Sequence, residues 1–302
     1  MPASVKVRVP ATVANLGPGF DALGVALAIH LEIEIEPRRD SIDVIVEGEG
    51  AGELPTDATN LVIQSMNTFF DRVGRRPSGY ALHLHNPIPL GSGLGSSAAA
   101  IVGGLTAARA LTGRTVPQAE MVDLARDMEG HADNILPALL GGMVVCYLNG
   151  AGEMRHLKLS PNERLVPIVV VPGEGFSTAE ARAALPDVVP LADAQFTISR
   201  AALIVGAMVS GAGSEMLADA MEDRVHEPHR LQLMPESAAV HAEIKASGLP
   251  VSLAGAGPSL LVVVPRPEVA MRAEQIRRVC RSRGTGWRVF VTEWEPQGAA
   301  AL

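Results

Sequence analysis

The most informative stretch of this sequence is PIPLGSGLGSSAAAIVGG at residues 87–104. The residues just before it, YALHLHN at 80–86, alternate apolar and polar side chains, which is typical of a half-buried strand. The small apolar residues after it predict a helix with serine at its N-cap, at Ser96, and Gly113 just past its end. A strand, a glycine loop and a helix in succession aim backbone N–H groups at one point, so the stretch predicts an anion-binding loop.

Two well-known phosphate-binding motifs do not match this loop. The Walker A motif needs a lysine, whereas the lysines of this chain are Lys6, Lys158 and Lys245 only. The dinucleotide-binding motif needs a third glycine at the position of Ser96. One of the two adjacent serines is enough to cap the helix, so the other, Ser97, is available to bind magnesium. The alternative is a loop of small residues that only leads into a tightly packed helix.

Composition limits the classes of function that are open to the chain. The 302 residues, 47% of them hydrophobic, are enough for two packed domains. A net charge of −8 and an aromatic content of 3% argue against a nucleic-acid partner. No apolar run approaches the roughly 18 residues of a membrane span, and residues 1–20 lack a secretory signal, so we expect no membrane partner and a cytoplasmic location. Cys146 and Cys280 have no C-x-x-C spacing, which predicts ordinary buried thiols.

Strand-like and helical stretches mix along the whole chain without a regular repeat, which predicts an α+β fold. Alternating stretches at residues 5–9 and 31–36 are typical of half-exposed strands. A new series of elements begins with the apolar strand RLVPIVVVP at 164–172. We therefore predict two domains, residues 1–160 and residues 161–302, that share a close interface.

Three blocks of the sequence resemble the GHMP family of small-molecule kinases. The loop PLGSGLGSSAAA matches the P-x-x-x-G-L-G-S-S-A-A pattern of that family, and the blocks VPATVANLGPGFDALGVAL and SLAGAGPSLLVV resemble its first and third motifs. The blocks stand in the family's order, and the resemblance covers nearly the whole chain. It implies the two-domain GHMP kinase fold, in which the N-terminal half is like domain 2 of ribosomal protein S5 and the C-terminal half is ferredoxin-like.

The same resemblance implies ATP and Mg²⁺ as cofactors, bound in the cleft between the domains. It places Asn60 near the adenine, although a plain N-cap role at the start of a helix explains this residue equally well. The phosphates would be held by the residues of the glycine loop, namely Pro89, Leu90, Gly91, Ser92, Gly93, Leu94, Gly95, Ser96, Ser97 and Ala98.

Within the family, the segments PATVANLGPGFDALG, EGHADNILPALLGG and EPHRLQL resemble the members that phosphorylate the side-chain hydroxyl of homoserine on the way to threonine. Homoserine is a zwitterion, so its site needs a cation, preferably a forked one, for the carboxylate and an acceptor for the ammonium group. The resemblance places Arg182 and Arg230 at the carboxylate, Asn15 and Asp21 at the ammonium and hydroxyl ends, and His131 nearby. Arg224 is the competing choice for the second arginine.

The resemblance assigns magnesium binding to Ser97 and Glu129. It assigns the catalytic role to the same two residues and Asn134. A hydroxyl and a carboxylate suit a hard octahedral cation that also binds phosphate oxygens and water. Asp123 or Asp127 replaces Glu129 if the gap before the H-x-D-N block is placed differently.

The sequence does not single out a general base. Several relatives in the family carry an aspartate near the position of Asn134, and asparagine cannot accept the proton. Catalysis would then depend on alignment and on stabilisation of charge, and the hydroxyl proton would leave to solvent or to a phosphate oxygen. Asp133 is the neighbouring residue, so a conventional base stays open.

Two other functions stay open at this point. A kinase for another small alcohol, such as shikimate or mevalonate, would share the loop, but mevalonate has no ammonium group and needs no partner such as Asp21. A protein that senses nucleotide or amino acid without catalysis would share the fold, but the intact Ser97, Glu129 and glycine loop argue against it. A homodimer is also left open, because apolar patches on the strands could support one.

Overall fold

In the computed structural model, which describes residues 4–284 and 286–302, the chain forms two β-sheets with helices packed against each. The strands are β1 (Val5–Ala14), β2 (Leu23–Arg38), β3 (Ile42–Gly48), β4 (Gly79–Asn86), β5 (Met143–Leu148), β6 (Met154–Leu159), β7 (Leu165–Val171), β8 (Val251–Leu253), β9 (Leu260–Pro265), β10 (Arg288–Val291) and β11 (Ala300–Ala301).

The helices that the structure describes include the one that the sequence predicted after the glycine loop. They are α1 (Leu61–Val73), α2 (Ser96–Thr112), α3 (Gln118–Glu129), α4 (Ile135–Leu140), α5 (Thr178–Ala183), α6 (Leu191–Ser210), α7 (Ser214–Ala220), α8 (Glu227–Gln232), α9 (Pro235–Ala246) and α10 (Val269–Ser282), with a 3₁₀ turn at Arg266–Glu268. Within the part of the chain described, no helix combines the length and the apolar character that a membrane crossing requires.

The first sheet has the strand order β11-β1-β2-β4-β3, and β5 pairs with both β2 and β6. Strands β3 and β4 are parallel, and the other pairs are antiparallel. At the start of β1 the valines are buried while Lys6 and Arg8 are partly exposed, which confirms the predicted alternation. From Val9 onward the strand is buried completely, because α2 and α4 pack against it.

Helix α2 follows the glycine loop as predicted, but its N-cap differs from the prediction. The N-cap is Gly95, in the left-handed region at φ 68° and without a side-chain cap bond, so the prediction of a serine N-cap is wrong. A serine caps a helix from an extended backbone conformation, whereas the loop turns sharply at Gly95 and thereby places Ser96 and Ser97 inside the first turn. The small residues of α2 allow it to lie close against α1.

The second sheet has the strand order β10-β7-β9-β8 and is antiparallel throughout. Strand β7 is buried along its whole length, as its apolar sequence predicted. Helices α9 and α10 cover this sheet and contribute Val240, Ile244 and Ile276 to its core. The chain passes from the first sheet to the second between Leu159 and Leu165. Near the end of the chain, β11 pairs with β1 of the first sheet. The division into residues 1–160 and 161–302 therefore stays a proposal, with the last residues crossing back to the first sheet.

Both cysteines are buried and unpaired, in agreement with the prediction of ordinary buried thiols. Burial raises the pKa of Cys146 to about 12 and that of Cys280 to about 11. Because only the thiolate is a strong nucleophile, neither group is reactive at neutral pH.

The short helix α8 is held in place by two buried carboxyl groups. The carboxylate of Asp223 accepts hydrogen bonds from the backbone N–H groups of His226 and Glu227, which opens the helix. The Glu227 side chain accepts one at 2.6 Å from the N–H of Leu253 in β8. Burial raises the pKa of Glu227 to about 8 and lowers that of His241, 3.9 Å away, to about 4. The two groups therefore face each other uncharged at neutral pH.

Glu227→Gln is expected to stabilise the protein increasingly as pH rises. The folded-state pKa of about 8 lies above the ordinary value of 4.5, so the folded state holds a proton that the unfolded state releases between these pH values. Wild-type stability is thus lost as pH rises through this window, whereas glutamine keeps an acceptor for Leu253 and does not titrate. We expect the two proteins to diverge by a few kcal/mol, on the order of 1 to 4, between pH 5 and pH 9. Thermal unfolding across this range tests it, and a difference independent of pH would contradict it.

Candidate active site

A cavity of about 120 Å³ brings together most of the residues that the sequence predicted for the site. It is lined from both halves of the chain by Asn15, Asp21, Gly91, Ser92, Gly93, Leu94, Gly95, Ser96, Ser97, Glu129, His131, Asn134, Arg182 and Arg230. Its other lining residues are Ala14, Asp133, Thr178, Gly255 and Ala256. Polar groups that are distant in the chain therefore converge on one volume.

The glycine loop is in contact with the first and third sequence blocks. Gly93 has φ 81°, and a Cβ atom there would collide with the carbonyl of Ala254 in the third block. A Cβ on Gly95 would collide with the side chain of Thr12 in the first block. The loop also bonds to the first block, since the N–H of Thr12 donates to the carbonyl of Leu94 at 3.1 Å. Only glycine satisfies both the backbone angles and the close approach at these two positions.

A second cavity, of about 330 Å³, adjoins the glycine loop. It shares Gly91, Ser96 and Ser97 with the first cavity, so the two volumes meet at the start of α2. Its walls are mainly apolar and include Leu54, Pro55, Leu61, Val62, Leu84, Leu90 and Ala100.

Asn60 lines this second cavity but uses its side chain within the protein. Its amide oxygen caps α1 by accepting from the N–H of Val62 at 3.0 Å, and its amide nitrogen donates to the carbonyl of Pro55 at 2.7 Å. The N-cap interpretation is confirmed, and a contact with adenine stays a prediction. Two of the predicted loop residues, Pro89 and Ala98, are buried and line neither cavity.

Ser97 and Glu129 meet at the junction of the two cavities. The Ser97 hydroxyl, in the first turn of α2, donates to Oε2 of Glu129 at the end of α3, at 2.7 Å. Partial burial raises the pKa of Glu129. Asp123 and Asp127 are exposed and line a separate surface groove beside Arg155. Of these three acids, Glu129 is thus the one that faces the glycine loop.

Asn134 is oriented by Thr12, which the sequence had not singled out. The buried hydroxyl of Thr12 donates to Oδ1 of Asn134 at 2.8 Å. The Asn134 side chain therefore presents its Nδ2 donor to the rest of the cavity. Thr12 stands in the first sequence block, five residues after Val7 in β1, and only the folded chain brings it to α4.

His131 and Asp133 form a second polar pair in the cavity. Nδ1 of His131 lies 3.5 Å from Oδ1 of Asp133. Interaction with this carboxylate raises the pKa of His131. Asp133 is only 3% exposed, and its Oδ1 has no hydrogen-bond partner among the residues described. The Asp133 carboxylate is thus buried in the cavity, beside His131.

The turn at residues 15–21 has a strained backbone. Asn15, Leu16 and Asp21 all have positive φ angles, of 73°, 48° and 55°, which non-glycine residues seldom adopt. Asn15 stabilises the turn, because its Oδ1 accepts from the N–H of Asp21 at 3.1 Å and its Nδ2 donates to the carbonyl of Gly255 at 2.8 Å. Asn15 therefore satisfies backbone groups, and its contact with a substrate stays a prediction. Such strained residues cluster at functional sites.

Asp21 is paired with Arg182, although the two were predicted for opposite ends of the substrate. Nη1 and Nη2 of Arg182 donate to the two carboxylate oxygens of Asp21 at 3.0 and 2.8 Å. The pair raises the pKa of Arg182. Both side chains are well exposed, at 43% and 39%, so the pair is weakly held, at about 1 kcal/mol or less.

Arg230, rather than Arg224, is the second arginine of the cavity. Arg230 is 2% exposed and lines the cavity from α8. Arg224 lies outside it, where it pairs with Asp193 at 3.5 Å and stacks on Phe196. The competing assignment of Arg224 is therefore not supported by its position.

Comparison with known proteins shows the family of this chain. Residues 60–142 match the family described as the GHMP kinases N terminal domain. A curated homoserine kinase of Streptomyces coelicolor is 39% identical over 303 residues, which span 99% of this chain and 95% of that relative. The chain belongs to the homoserine kinase family. The homoserine kinase of Moorella thermoacetica is 43% identical over 257 residues, 84% of this chain and 86% of that relative.

Solved structures confirm the predicted fold class. The crystal structure of homoserine kinase from Cytophaga hutchinsonii superimposes on this chain with a TM-score of 0.87 and 28% identity, covering 100% of this chain and 98% of that one. A crystal structure of mevalonate kinase gives a TM-score of 0.71 at 15% identity, over 97% of this chain and 99% of that one, which shows the shared fold alone. This chain thus has the α+β, two-domain fold of the GHMP kinases.

Proposed function

We propose that this protein transfers the γ-phosphoryl group of ATP to the side-chain hydroxyl of L-homoserine, which yields O-phospho-L-homoserine and ADP. The observation that carries the proposal is the set of charges in the 120 Å³ cavity. There the carboxylate of Asp21 and the guanidinium groups of Arg182 and Arg230 stand beside the glycine loop. An amino-acid zwitterion needs one acceptor and one or two forked cations, which is this set.

Substrate binding would exchange one ion pair for two. The ammonium group of homoserine takes the place of Arg182 at Asp21, and its carboxylate takes the place of Asp21 at Arg182. Because a zwitterion replaces both halves of the pair, no charge is left unpaired, and the exposed pair costs only about 1 kcal/mol or less to open. Arg230 supplies a second contact to the carboxylate from within the protein.

ATP fits the two adjoining cavities. The apolar 330 Å³ cavity suits a flat base, and the backbone N–H groups of the glycine loop and the start of α2 suit the phosphates. Phosphates at this position lie beside the cavity that would hold homoserine, because both cavities share Ser96 and Ser97.

Ser97 and Glu129 fit a magnesium ion. Their oxygens are 2.7 Å apart, and hydroxyl and carboxylate oxygens are ligands that this cation prefers. Among the described residues no cluster of three or more His, Cys, Asp or Glu side chains could hold a metal. Phosphate oxygens and water would therefore complete the coordination, as is usual for magnesium on a nucleotide. When bound, the ion offsets the charge of the phosphates.

The reaction then depends on alignment. The substrate oxygen forms a bond to the γ-phosphorus, the bond from that phosphorus to the β,γ-bridging oxygen breaks, and the hydroxyl proton passes to a phosphate oxygen or to solvent. Asn134, fixed by Thr12, is positioned to donate from Nδ2 to an oxygen that gains charge. Asp133 lies next to it and is the alternative acceptor for the proton.

Release of ADP tests the proposed function. The purified protein is incubated with ATP and magnesium together with homoserine, shikimate, mevalonate or no alcohol. We expect ADP release with homoserine only. Release with another alcohol alone would overturn the substrate, and ATP binding without turnover of any alcohol would favour a sensor.

A further inference from the structure

His226 is a fully buried histidine directly behind Arg230, and the sequence gave it no role. Its Nε2 lies 2.7 Å from the carbonyl oxygen of Gly17, and its Nδ1 lies 3.3 Å from Nη1 of Arg230. It therefore connects the strained turn of the first sequence block to the buried arginine of the cavity.

These two contacts fix the protonation of the ring. A carbonyl oxygen can only accept, so Nε2 must carry the hydrogen that is donated to Gly17. A guanidinium group can only donate, so Nδ1 must be the unprotonated nitrogen that accepts from Arg230. Burial and the nearby Arg230 charge lower the pKa of His226, which agrees with a neutral ring. The Asp223 carboxylate, 3.7 Å from Nε2, is already bonded to backbone N–H groups.

The partners of Arg230 are all uncharged acceptors. Nη1 bonds to His226 and to the carbonyl of Gly255 at 3.2 Å, and Nε bonds to the carbonyl of Ala181 at 3.4 Å. Among the residues described, Nη2 has no protein partner and no carboxylate lies at ion-pair distance. Arg182, by contrast, is paired with Asp21. The Arg230 guanidinium is thus held by neutral acceptors, and its positive charge stays available for a ligand.

Phe20 completes this support. Its ring stacks on the His226 ring, with centroids 5.1 Å apart and planes inclined by 26°. The guanidinium groups of Arg230 and Arg182 lie 5.3 and 5.6 Å from its centroid. An aromatic face attracts cations and also cannot neutralise them.

We propose that His226, with Phe20 packed on it, is a positioning residue that aims Arg230 at the substrate carboxylate. The inference rests on the proposed function and deepens it. A neutral acceptor behind the guanidinium fixes its direction and leaves its full charge for the ligand, whereas a carboxylate there would compete with the substrate. His226 touches neither substrate nor phosphate and acts through Arg230.

A matched pair of variants separates positioning from packing. In His226→Asn the side-chain oxygen reaches the place of Nδ1 and still accepts from Arg230, whereas in His226→Gln the amide reaches the place of Nε2 and still donates to Gly17. We expect His226→Gln to raise KM for homoserine about 10-fold or more, since a hydrogen bond to a charged group is lost. KM for ATP and kcat should stay within about 3-fold, and His226→Asn should restore much of the homoserine affinity.

Each outcome of these measurements decides the inference. An equal rise in KM for homoserine in both variants would show that His226 contributes only to packing. Changes in kcat and in KM for ATP that parallel a loss of melting temperature would show the same. If neither variant folds, the variant Phe20→Leu provides the test. A rise in KM for homoserine of about 3- to 10-fold supports the inference, and an unchanged KM overturns it. Wild-type protein without homoserine turnover would overturn the proposed function and the inference together, whereas an active wild type with an unaffected His226→Gln would overturn the inference alone.

Discussion

Arg230→Ala is expected to lower kcat/KM for homoserine by about 10²- to 10³-fold, mainly through KM. Arg230 is 2% exposed, carries no carboxylate partner among the described residues and lines the cavity, so a buried substrate carboxylate would lose its fixed counter-charge. The contact is remote from the reacting hydroxyl, which is why substrate affinity suffers more than the chemical step. Steady-state kinetics with homoserine and with ATP varied separately measure both effects.

Arg224→Ala is the matched control for this prediction. Arg224 lies six residues earlier in the same segment, is half exposed and pairs with Asp193 outside the cavity. We expect its kcat/KM to stay within about 3-fold of wild type, because an exposed pair contributes little. Equal losses in the two variants would contradict the assignment of Arg230 to the carboxylate. Melting temperatures of both variants show whether a loss reflects unfolding instead.

Glu129→Gln is expected to lower kcat by about 10²-fold or more and to raise the magnesium concentration needed for half-maximal activity. Glutamine keeps the size of the side chain and an acceptor for Ser97, but it removes the negative charge that a cation requires. Burial raises the pKa of Glu129, and only its ionised form attracts the metal, so wild-type activity should fall as pH decreases through this raised pKa. The variant should lack that pH dependence.

Asp127→Asn controls for the loss of one acidic charge on α3. Asp127 is exposed on a surface groove that contains no residue of the glycine loop, so we expect the activity and magnesium requirement of this variant to stay within about 2-fold of wild type. An Asp127→Asn defect as large as that of Glu129→Gln would mean that the metal is held elsewhere. Magnesium titrations of ADP release at a fixed ATP concentration distinguish the two results.

The glycine loop was predictable because its determinants are local. Glycine at positions 93 and 95 permits backbone angles that other residues resist, and the small residues that follow favour a closely packed helix. The two-domain GHMP kinase fold followed from the resemblance of three blocks in their order. The predicted N-cap of α2 was wrong. Serine is a common N-cap residue, whereas here the N-cap is Gly95, which has a left-handed backbone and leaves no room for a Cβ beside Thr12.

Residue chemistry alone did not separate similar side chains, and the preferred residues came from the family resemblance. Asp123, Asp127 and Glu129 lie within one helix and have the same chemistry, and only the packing of α3 against α2 shows that Glu129 meets Ser97. Arg230 was likewise preferred by resemblance, with Arg224 as the competing choice, and only the folded chain shows that Arg230 lines the cavity. His226, Phe20 and Thr12 escaped notice because each acts through a partner that is distant in the chain.

The sequence by itself determined the glycine loop and the elements that flank it, because backbone preferences and apolar periodicity are properties of neighbouring residues. The resemblance of three sequence blocks indicated the family. The tertiary structure alone decided which side chains share the site. Asp21 and Arg182 are 161 residues apart, and Thr12 and Asn134 are 122 apart, yet each pair is within hydrogen-bond distance. Such contacts arise from the packing of the two sheets and their helices, so no local pattern encodes them.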